Sequence, residues 1–452
     1  MSPRILAVNP WIYDFAAYDL WARPLGLLYL ADHLIRSGCR VDLVDCLDRL
    51  HPRSGAPVKK RTLPGTGPWR REIVRTPQPL QGVPRRFARY GLPEEVFVHE
   101  VRSAAPPDAI LVTSIMTYWY PGVVRAVELA RAIWPGVPVI LGGIYATLCP
   151  SHAARRSGAD LAVSGHGENR IIELLRESCG LDLEGPPGPG ACRFGPRPAL
   201  DLYPVLDFAP ILTSRGCPYR CPYCASKILQ PRFFQREADD VLDEIEDRRS
   251  RLGLRDFVFF DDALLVNSEE HIMPILEALV RRGLRLRFHT PNGLHVGLIT
   301  REAAELMFAA GFKTLRLGLE TPDPQSQAAW GGKVGAGDFE RALAHLKKAG
   351  FEPSDIGVYL LYGLPGQDPR DLVSAARYVR ALGARPYPAE FSPLPGTNLW
   401  PAANAASPFD LENEPLYHNN SFFPCRGPDF SWEKIQAVKR AARTGDAPGG
   451  MD

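Results

Sequence analysis

Short apolar runs alternate with helical patterns in two separate stretches, and this alternation limits the possible folds more than any other feature of the chain. In the first 180 residues the runs are Ile5 to Val8, Val41 to Val44, Ile110 to Ser114, Val137 to Leu141 and Leu161 to Val163, with helical segments at Leu25 to Arg36 and Val123 to Ile133 between them. Apolar strands joined through helices pair in parallel, so this half predicts a doubly wound (Rossmann-like) parallel α/β sheet. From Pro210 the alternation resumes six times, with strands near Ile211 to Ser214, Phe257 to Phe260, Leu284 to His289, Thr314 to Leu319, Ile356 to Leu361 and Ala389 to Ser392. Helices at Ala238 to Asp247, Ser268 to Val280, Arg301 to Ala310, Asp338 to Lys348 and Arg370 to Ala381 separate them, stopped by Gly311, Gly350 and Gly383. Six such units predict a partial (β/α)6 TIM-type barrel, with its chemistry at the C-terminal ends of the strands.

At 452 residues the chain has room for two domains. Between the two alternating stretches, the run EGPPGPGAC stops both helix and strand and reads as a linker. The expected organisation is a first domain over 1–180, a linker over 181–205, the barrel over 206–395 and an irregular Pro- and Asn-rich C-terminal cap over 396–452. With 53 basic against 51 acidic side chains, the formal charge of +2 gives no general attraction to nucleic acid or to a membrane. No apolar stretch reaches the ~18 residues of a membrane span, and the first residues turn polar and aromatic by Trp11. A cytoplasmic, unexported chain is expected. Residues 51–90 carry ten basic residues and one acid, Glu72, and read as a solvated basic insertion, with an anionic cofactor tail or an acidic partner as alternatives.

Nine cysteines in an unexported chain argue for metal or redox chemistry over disulfides. Three of them, Cys217, Cys221 and Cys224, stand in SRGCPYRCPYCAS with C-x3-C-x2-C spacing directly after a predicted strand. A structural zinc site closes four positions, whereas three thiolates on one loop suit three irons of a [4Fe-4S] cluster and leave the fourth open. Gly216, Pro218 and Pro222 favour a wrapped loop over a helix. The pair Cys149 and His152 has no partners in the sequence and reads as structural.

The cysteine spacing, with aromatic Tyr223 before the last cysteine, resembles the radical S-adenosylmethionine (radical SAM) enzymes. The segments FFDDALL, FHTPNGLH, TLRLGLET and GVYLLYGLPGQ extend the resemblance to members carrying an N-terminal cobalamin-binding domain. It implies that the open iron chelates S-adenosylmethionine and that an electron from the cluster cleaves it to a 5'-deoxyadenosyl radical, which abstracts substrate hydrogen. On the same basis Asp261 and Asp262 take the place of the motif holding the methionine amino group. Adjacent strand residues face opposite sides, so one of the two is expected to do so, and capping of the next helix is the alternative. Glu320 is implied to contact the ribose hydroxyls or the amino group and Arg316 the methionine carboxylate, with a plain Arg316–Glu320 ion pair as the alternative. Asn292 follows the third strand as a contact or an Asx turn. Backbone around Leu361 and Gly363 is implied to meet adenine, with Gln367 where an acid is common.

In the first domain the resemblance implies a corrin over the C-terminal edge of the sheet, where open α/β sheets bind ligands. The supporting residues are RPLGLLYLADHL, Ser114 within SIMTYWYPG, Gly142 and Gly143, and the stretch from Gly165 to Glu168. The family's Asp-x-His-x-x-Gly motif is absent, and the first histidine, His33, falls in a predicted helix. Tyr118, Trp119 and Tyr120 are the expected aromatic packing beneath a corrin, or else between domains. His418, Asn419, Asn420 and Cys425 stand as substrate contacts or cap packing.

The expectation is an oxygen-sensitive radical SAM enzyme that methylates an unactivated carbon, methylcobalamin supplying the methyl group. A flavodoxin- or ferredoxin-type protein would be its reductant, its substrate is unidentified, and neither nucleic acid nor membrane is an expected partner. The alternatives are a cobalt-free radical rearrangement, cyclisation or dehydrogenation, and a non-catalytic iron-sulfur redox or binding module.

Overall fold

The structure, a computed structural model, describes residues 2–55, 63–168, 170–185, 197–428 and 430–444. They form two compact units, Met1–Asp207 with Glu412–His418, and Phe208–Leu411 with Asn419–Asp452.

The first unit is built on five parallel strands, β1 (Arg4–Asn9), β2 (Arg40–Asp45), β3 (Ala109–Val112), β4 (Val139–Leu141) and β5 (Leu161–Ala162), in the spatial order β5-β4-β3-β1-β2. The apolar runs of β1, β3 and β4 are covered on both faces, as in a parallel sheet whose crossovers are helices. Leu6, Val8, Ile110 and Val139 are all fully buried. Helices α1 (Leu25–Arg36), α2 (Tyr120–Ile133) and α3 (Ile171–Cys179) follow strands β1, β3 and β5. The chain leaves β1 for β2 on one side and then returns to β3 on the other. The loops after β1 and β3 therefore diverge at the C-terminal edge and open a crevice there.

The expected basic insertion is largely folded. Ala88–Tyr90 pairs with both Ile12–Asp14 and Arg71–Ile73, and Thr66–Pro68 pairs with Tyr18–Leu20. Trp69, Leu80 and Phe87 are buried, and Arg89 is held between Glu72 and Glu94 beside the Trp11 ring. Strands of three residues are too short for a period to be read, which is why the stretch reads as loop. Its residues 56–62 lie outside the described ones. The expected linker also ends earlier than its sequence suggests. Ala199 N donates to Leu28 O, and Tyr203 Oη donates to Asp45 Oδ2 at 2.6 Å, so the chain after the Pro/Gly run packs back on the first unit.

The second unit arranges β6 (Ala209–Ile211), β7 (Asp256–Phe259), β8 (Arg287–His289), β9 (Phe312–Glu320), β10 (Ile356–Tyr362) and β11 (Arg385–Glu390) in chain order, all parallel, with Leu294–His295 added beside β9. Between them lie α4 (Ala238–Leu252), α5 (Ile272–Arg281), α6 (Arg301–Ala310), α7 (Asp338–Ala349) and α8 (Pro369–Ala381). Phe259, Phe288 and Phe312 stack across neighbouring strands at 5.3–5.7 Å between ring centroids. Two strands depart from expectation. The run from Ile211 to Ser214 splits, because Ser214–Arg215 leaves the barrel to pair antiparallel with Phe234–Gln235. The last strand starts at Arg385 and includes Pro386 and Pro388, which an edge strand tolerates because one side needs no donors.

The C-terminal stretch is not one cap. Glu414 accepts from Tyr120 Oη at 3.1 Å and His418 Nδ1 lies 3.0 Å from Thr117 Oγ1, so this piece belongs to the first unit. Asn419 is fully buried and caps Ser421 N, and the Cys425 thiol donates to Ala403 O. These residues are packing groups. Helix α9 (Trp432–Thr444) is tied to the sheet edge through Lys439, which bonds Glu390, itself accepting from Tyr362 Oη.

Candidate active site

Cys217, Cys221 and Cys224 lie on an irregular loop between Ser214–Arg215 and the short helix Ser226–Leu229. Gly216 starts it at a φ of +79°, where a Cβ would come 2.6 Å from Arg232 O, so only glycine lets the loop leave its hairpin. Inside the loop Cys224 N donates to Cys221 O, and Ser226 N donates to Cys224 Sγ at 3.4 Å. Gly331 closes over it from another segment, where a Cβ would meet Cys221 Cα at 3.2 Å. Burial raises the Cys217 thiol, and burial pushes the Cys224 thiol up to about 11, with the Asp262 carboxylate adding to both. A bound metal reverses that direction by stabilising the thiolates. Among the described residues no three His, Cys, Asp or Glu side chains converge on a single-ion position. A cuboidal cluster takes each thiolate at a different iron and needs no such convergence, so the donor set fits a cluster better than zinc.

The two adjacent acids after β7 do different work. Asp261 is buried and accepts from Thr213 N, from Thr213 Oγ1 at 2.7 Å and from Ser214 Oγ at 2.5 Å. It anchors the segment that leads into the cysteine loop, and His271 extends the network by a 2.9 Å contact with Thr213 Oγ1. Asp262 points to the other side, where it accepts from Ser226 Oγ close behind Cys224. Of the pair, then, Asp262 faces the cysteines.

Glu320 ends β9 with a φ of +65°, a region costly for a residue with a Cβ, at a register shift against β10. Its carboxylate meets Lys333 Nζ at 2.8 Å, not Arg316. Arg316 instead lies 4.3 Å over the Tyr387 ring and donates to Leu315 O. Neither the ion pair with Glu320 nor an open Arg316 is seen. Two features keep Glu320 in place. The Gln327 amide donates to the carbonyls on either side, Leu319 O at 2.5 Å and Thr321 O at 2.6 Å. Gly318 leaves room for the ion pair, since a Cβ would come 3.2 Å from both Glu320 Oε1 and Lys333 Nζ. Burial acts on Lys333 to favour its neutral form, but the charges of Glu320, Cys221 and Cys224 outweigh it and hold the ammonium. Tyr223 is pushed far up by burial first, then by Glu320 and Cys221.

Asn292 forms no Asx turn; its amide donates to Phe260 O and Asp261 O across the strand ends. Leu361 packs in a buried cluster with Leu364, Phe391 and Tyr223. Gly363 holds a φ of +85° beneath Phe423. Sequence reading missed Lys333, Gln327 and His295. The His295 ring stands 4.5 Å from Tyr219 of the cysteine loop, and both its nitrogens are desolvated and unbonded. Tyr219 was legible inside the motif. Lys333 and Gln327 carry no period or spacing that marks them. By contrast Asp256 and Arg287, the first residues of β7 and β8, pair at the N-terminal ends of the strands, where a barrel keeps its stability contacts, and Asp256 Oδ1 also lies 3.2 Å from His289 Nε2.

At the C-terminal edge of the first unit, Ser114 Oγ donates to Gly142 O and accepts from Tyr145 N. Gly143 has a φ of +87°, and a Cβ there would reach 2.4 Å from Ser114 O, so the loops after β3 and β4 interlock only with glycine. Thr147 Oγ1 donates to Gly143 O and accepts from Gly165 N, joining the loop after β5 to them. Glu168 is near His166 at 3.8 Å and faces His33 on α1. Tyr118 and Tyr120 are buried inside this unit. Tyr120 stacks on Tyr145, whose hydroxyl meets His152 Nδ1 at 2.6 Å. Burial holds His152 down at about 4 and raises Cys149 to about 12, so both are neutral packing groups. Trp119 is only partly buried, and its indole N–H donates to Asp14 Oδ2.

A sheet whose loops interlock through glycine at the C-terminal edge and a three-cysteine loop at the strand ends of a barrel together define a class of protein. Residues 211–379 match the radical SAM superfamily and residues 86–175 match the B12 binding domain. The chain belongs to the radical SAM superfamily, among members that carry a B12-binding domain, and its cofactors are a [4Fe-4S] cluster, S-adenosylmethionine and cobalamin. An uncharacterized methyltransferase of Pyrococcus horikoshii is 25% identical over 66% of this chain and 70% of its own length. The hopanoid C-2 methylase of Rhodopseudomonas palustris is 26% identical over 43% of this chain, which spans only 38% of that protein. In fold the chain is similar to the radical S-adenosylmethionine methyltransferase TsrM of Kitasatospora setae, at a TM-score of 0.64 and 21% identity over 90% of this chain and 77% of that one. The cobalamin-dependent enzyme OxsB aligns at 0.56 and 14% identity over 84% and 52%. No helix among the described residues is long and apolar enough to cross a membrane.

Proposed function

We propose that the protein is a cobalamin-dependent radical SAM methyltransferase acting on an unactivated carbon. The observation that carries this reading is the presence, in one chain, of the cysteine loop at the strand ends and of the interlocked Ser114, Gly142 and Gly143 edge within a B12-binding domain. When bound, the three cofactors supply an electron, a radical that removes a substrate hydrogen, and a methyl group. The chain supplies position and charge. Cys217, Cys221 and Cys224 hold the cluster, and Lys333 offsets the negative charge of the thiolates. Asp262 and Glu320 receive the cationic amine and hydroxyls of S-adenosylmethionine, and Gln327 keeps Glu320 turned toward them. Backbone at Leu361 and Gly363 meets the adenine, with Tyr223 and Asn292 bordering that site. Loops at Ser114, Gly142, Gly143 and the Gly165 to Glu168 stretch receive the corrin, with Trp119 as its aromatic contact.

The reaction takes place in the cytoplasm with a flavodoxin- or ferredoxin-type reductant. The relatives named as methyltransferases support methyl transfer over a cobalt-free rearrangement. The test is anaerobic incubation of reconstituted protein with cobalamin, reductant, methyl-labelled S-adenosylmethionine and a cell extract. A metabolite that gains one labelled methyl group, with 5'-deoxyadenosine formed alongside, is the expected result. Cleavage of S-adenosylmethionine that proceeds equally well in protein without cobalt, with no labelled product, would overturn methyl transfer. The Co(II) resonance spectrum of the loaded protein is expected to lack coupling to a histidine nitrogen, because the motif that supplies one is absent.

A further inference from the structure

We infer that the first unit carries a docking face for an acidic electron-donor protein, formed by Arg71, Arg75 and Arg86 around the exposed side chain of Ile73. In the antiparallel ladder Arg71 pairs with Tyr90, Glu72 with Arg89 and Ile73 with Ala88, and Val74 N then donates to Phe87 O. Carried one residue further, that register sets Arg75 beside Arg86. Side chains alternate along a strand, so Arg71, Ile73 and Arg75 share one face with Tyr90, Ala88 and Arg86. All three arginines are exposed, and Ile73 is 49% exposed among them. Glu72, the single acid of the stretch 51–90, points to the opposite face, where Arg89 holds it. Among the described residues no carboxylate pairs with Arg71, Arg75 or Arg86. Like charges set side by side on a sheet lower its stability. A partner surface of negative charge returns that cost.

Charge and place together select the occupant. The strand Ala88–Tyr90 pairs on its other side with Ile12–Asp14, which follows β1 at the C-terminal edge of the parallel sheet. Asp14 stands opposite Ala88, on the arginine face, and accepts from the indole of Trp119, the residue proposed above as the aromatic contact of the corrin. The basic face is thus continuous with the edge that receives cobalamin. Electron-transfer encounters bury little surface and are steered by long-range charge. Three cations around one apolar side chain suit such a partner. The inference rests on the cobalamin-dependent reading, and it names the surface and the charge by which the reductant binds.

The test uses the full-length protein, loaded with cluster and cobalamin, and a strongly acidic flavodoxin followed by surface plasmon resonance. One flavodoxin per chain is expected, with an association rate that falls at least about tenfold between about 50 and 300 mM salt. Arg75→Glu combined with Arg86→Glu should slow association about tenfold with little change in dissociation, and the paired Arg→Gln changes should slow it by less. Arg249→Glu, a charge reversal at an exposed site on α4 of the other unit, should leave association unchanged. In stopped flow, one electron leaves the anionic flavin hydroquinone, giving the neutral semiquinone, and takes bound Co(III) to Co(II). The double Glu variant should slow this reduction about tenfold with flavodoxin and leave it unchanged with dithionite. Equal association of wild type and the double Glu variant, or the same loss from Arg249→Glu, would overturn the inference. So would a loss with both reductants, or arginine-dependent binding to phosphatidylglycerol vesicles without any binding of flavodoxin. Failure of the underlying reading looks different: protein that takes up no cobalamin yet binds flavodoxin through these arginines would remove cobalamin dependence and keep the docking face.

Discussion

Lys333 and Glu320 form a 2.8 Å ion pair in which each side chain is only 15% exposed, and the carboxylate stands on a backbone held at a φ of +65°. The ammonium also feels Cys221 and Cys224, so it is the cation nearest in effect to the thiolates. A positive charge beside a cluster favours the reduced, more negative state. Lys333→Met is therefore expected to retain iron and sulfide but to shift the cluster's midpoint potential downward, on the order of tens of millivolts. A redox titration followed by electron paramagnetic resonance checks this, and an unchanged potential would remove Lys333 from the site.

Gln327 acts on Glu320 through backbone alone. Its two hydrogen bonds hold the flanking carbonyls, and a buried amide of this kind contributes about 1 kcal/mol per bond. Gln327→Ala should weaken S-adenosylmethionine binding about tenfold, from the loss of a pre-set carboxylate, with cluster content unchanged. Equilibrium binding alongside iron analysis separates the two, and equal loss of iron would make Gln327 a general stability residue.

The neighbouring acids should respond in opposite ways. Asp261→Ala leaves Thr213 and Ser214 donors buried without an acceptor, at a cost of about 3 kcal/mol or more. A lower thermal midpoint and poor cluster assembly are expected. Asp262→Ala loses only the Ser226 hydroxyl, so the protein should fold and assemble its cluster but bind S-adenosylmethionine more weakly. Melting curves and iron content of the two variants, measured side by side, decide the assignment.

In the first unit, burial pushes the carboxyls of Asp19 and Asp48 up from 3.8 to about 6, despite Arg49 at 3.3 Å from the one and Arg23 at 3.8 Å from the other. A carboxyl with a raised folded-state pKa holds its proton more tightly folded than unfolded. Its contribution to stability is complete below 3.8 and is lost as pH rises through about 6. The thermal midpoint of wild-type protein should thus fall more steeply between about pH 4 and 7 than that of Asp19→Asn or Asp48→Asn. Identical slopes would show that these carboxyls titrate normally.

The parallel sheets and the cysteine loop were legible because each rests on local pattern. Apolar runs of β-branched and aliphatic residues separated by helical periods specify parallel strands wherever they fold. Cysteines four and three residues apart share one loop whatever surrounds them. The short antiparallel pairs at 12–14, 66–73 and 88–90 escaped the same reading, since three residues hold no period and their partners lie far away in the chain. The last strand begins at Arg385, before the expected Ala389, because an edge position tolerates Pro386 and Pro388.

The sequence by itself therefore determined the two sheets, their parallel order and the three thiols that can hold a cluster. Tertiary structure decided what the charged groups do. Asp261 and Asp262 are indistinguishable in sequence, yet the pleat sends one into the anchor of the cysteine loop and the other toward the cysteines. Arg316 and Glu320 share a strand face but do not pair, because Tyr387 takes the guanidinium and Lys333, arriving after a short helix, takes the carboxylate. Charge partners are chosen by distance in space, which falls off within a few ångströms and leaves no spacing in the chain to read.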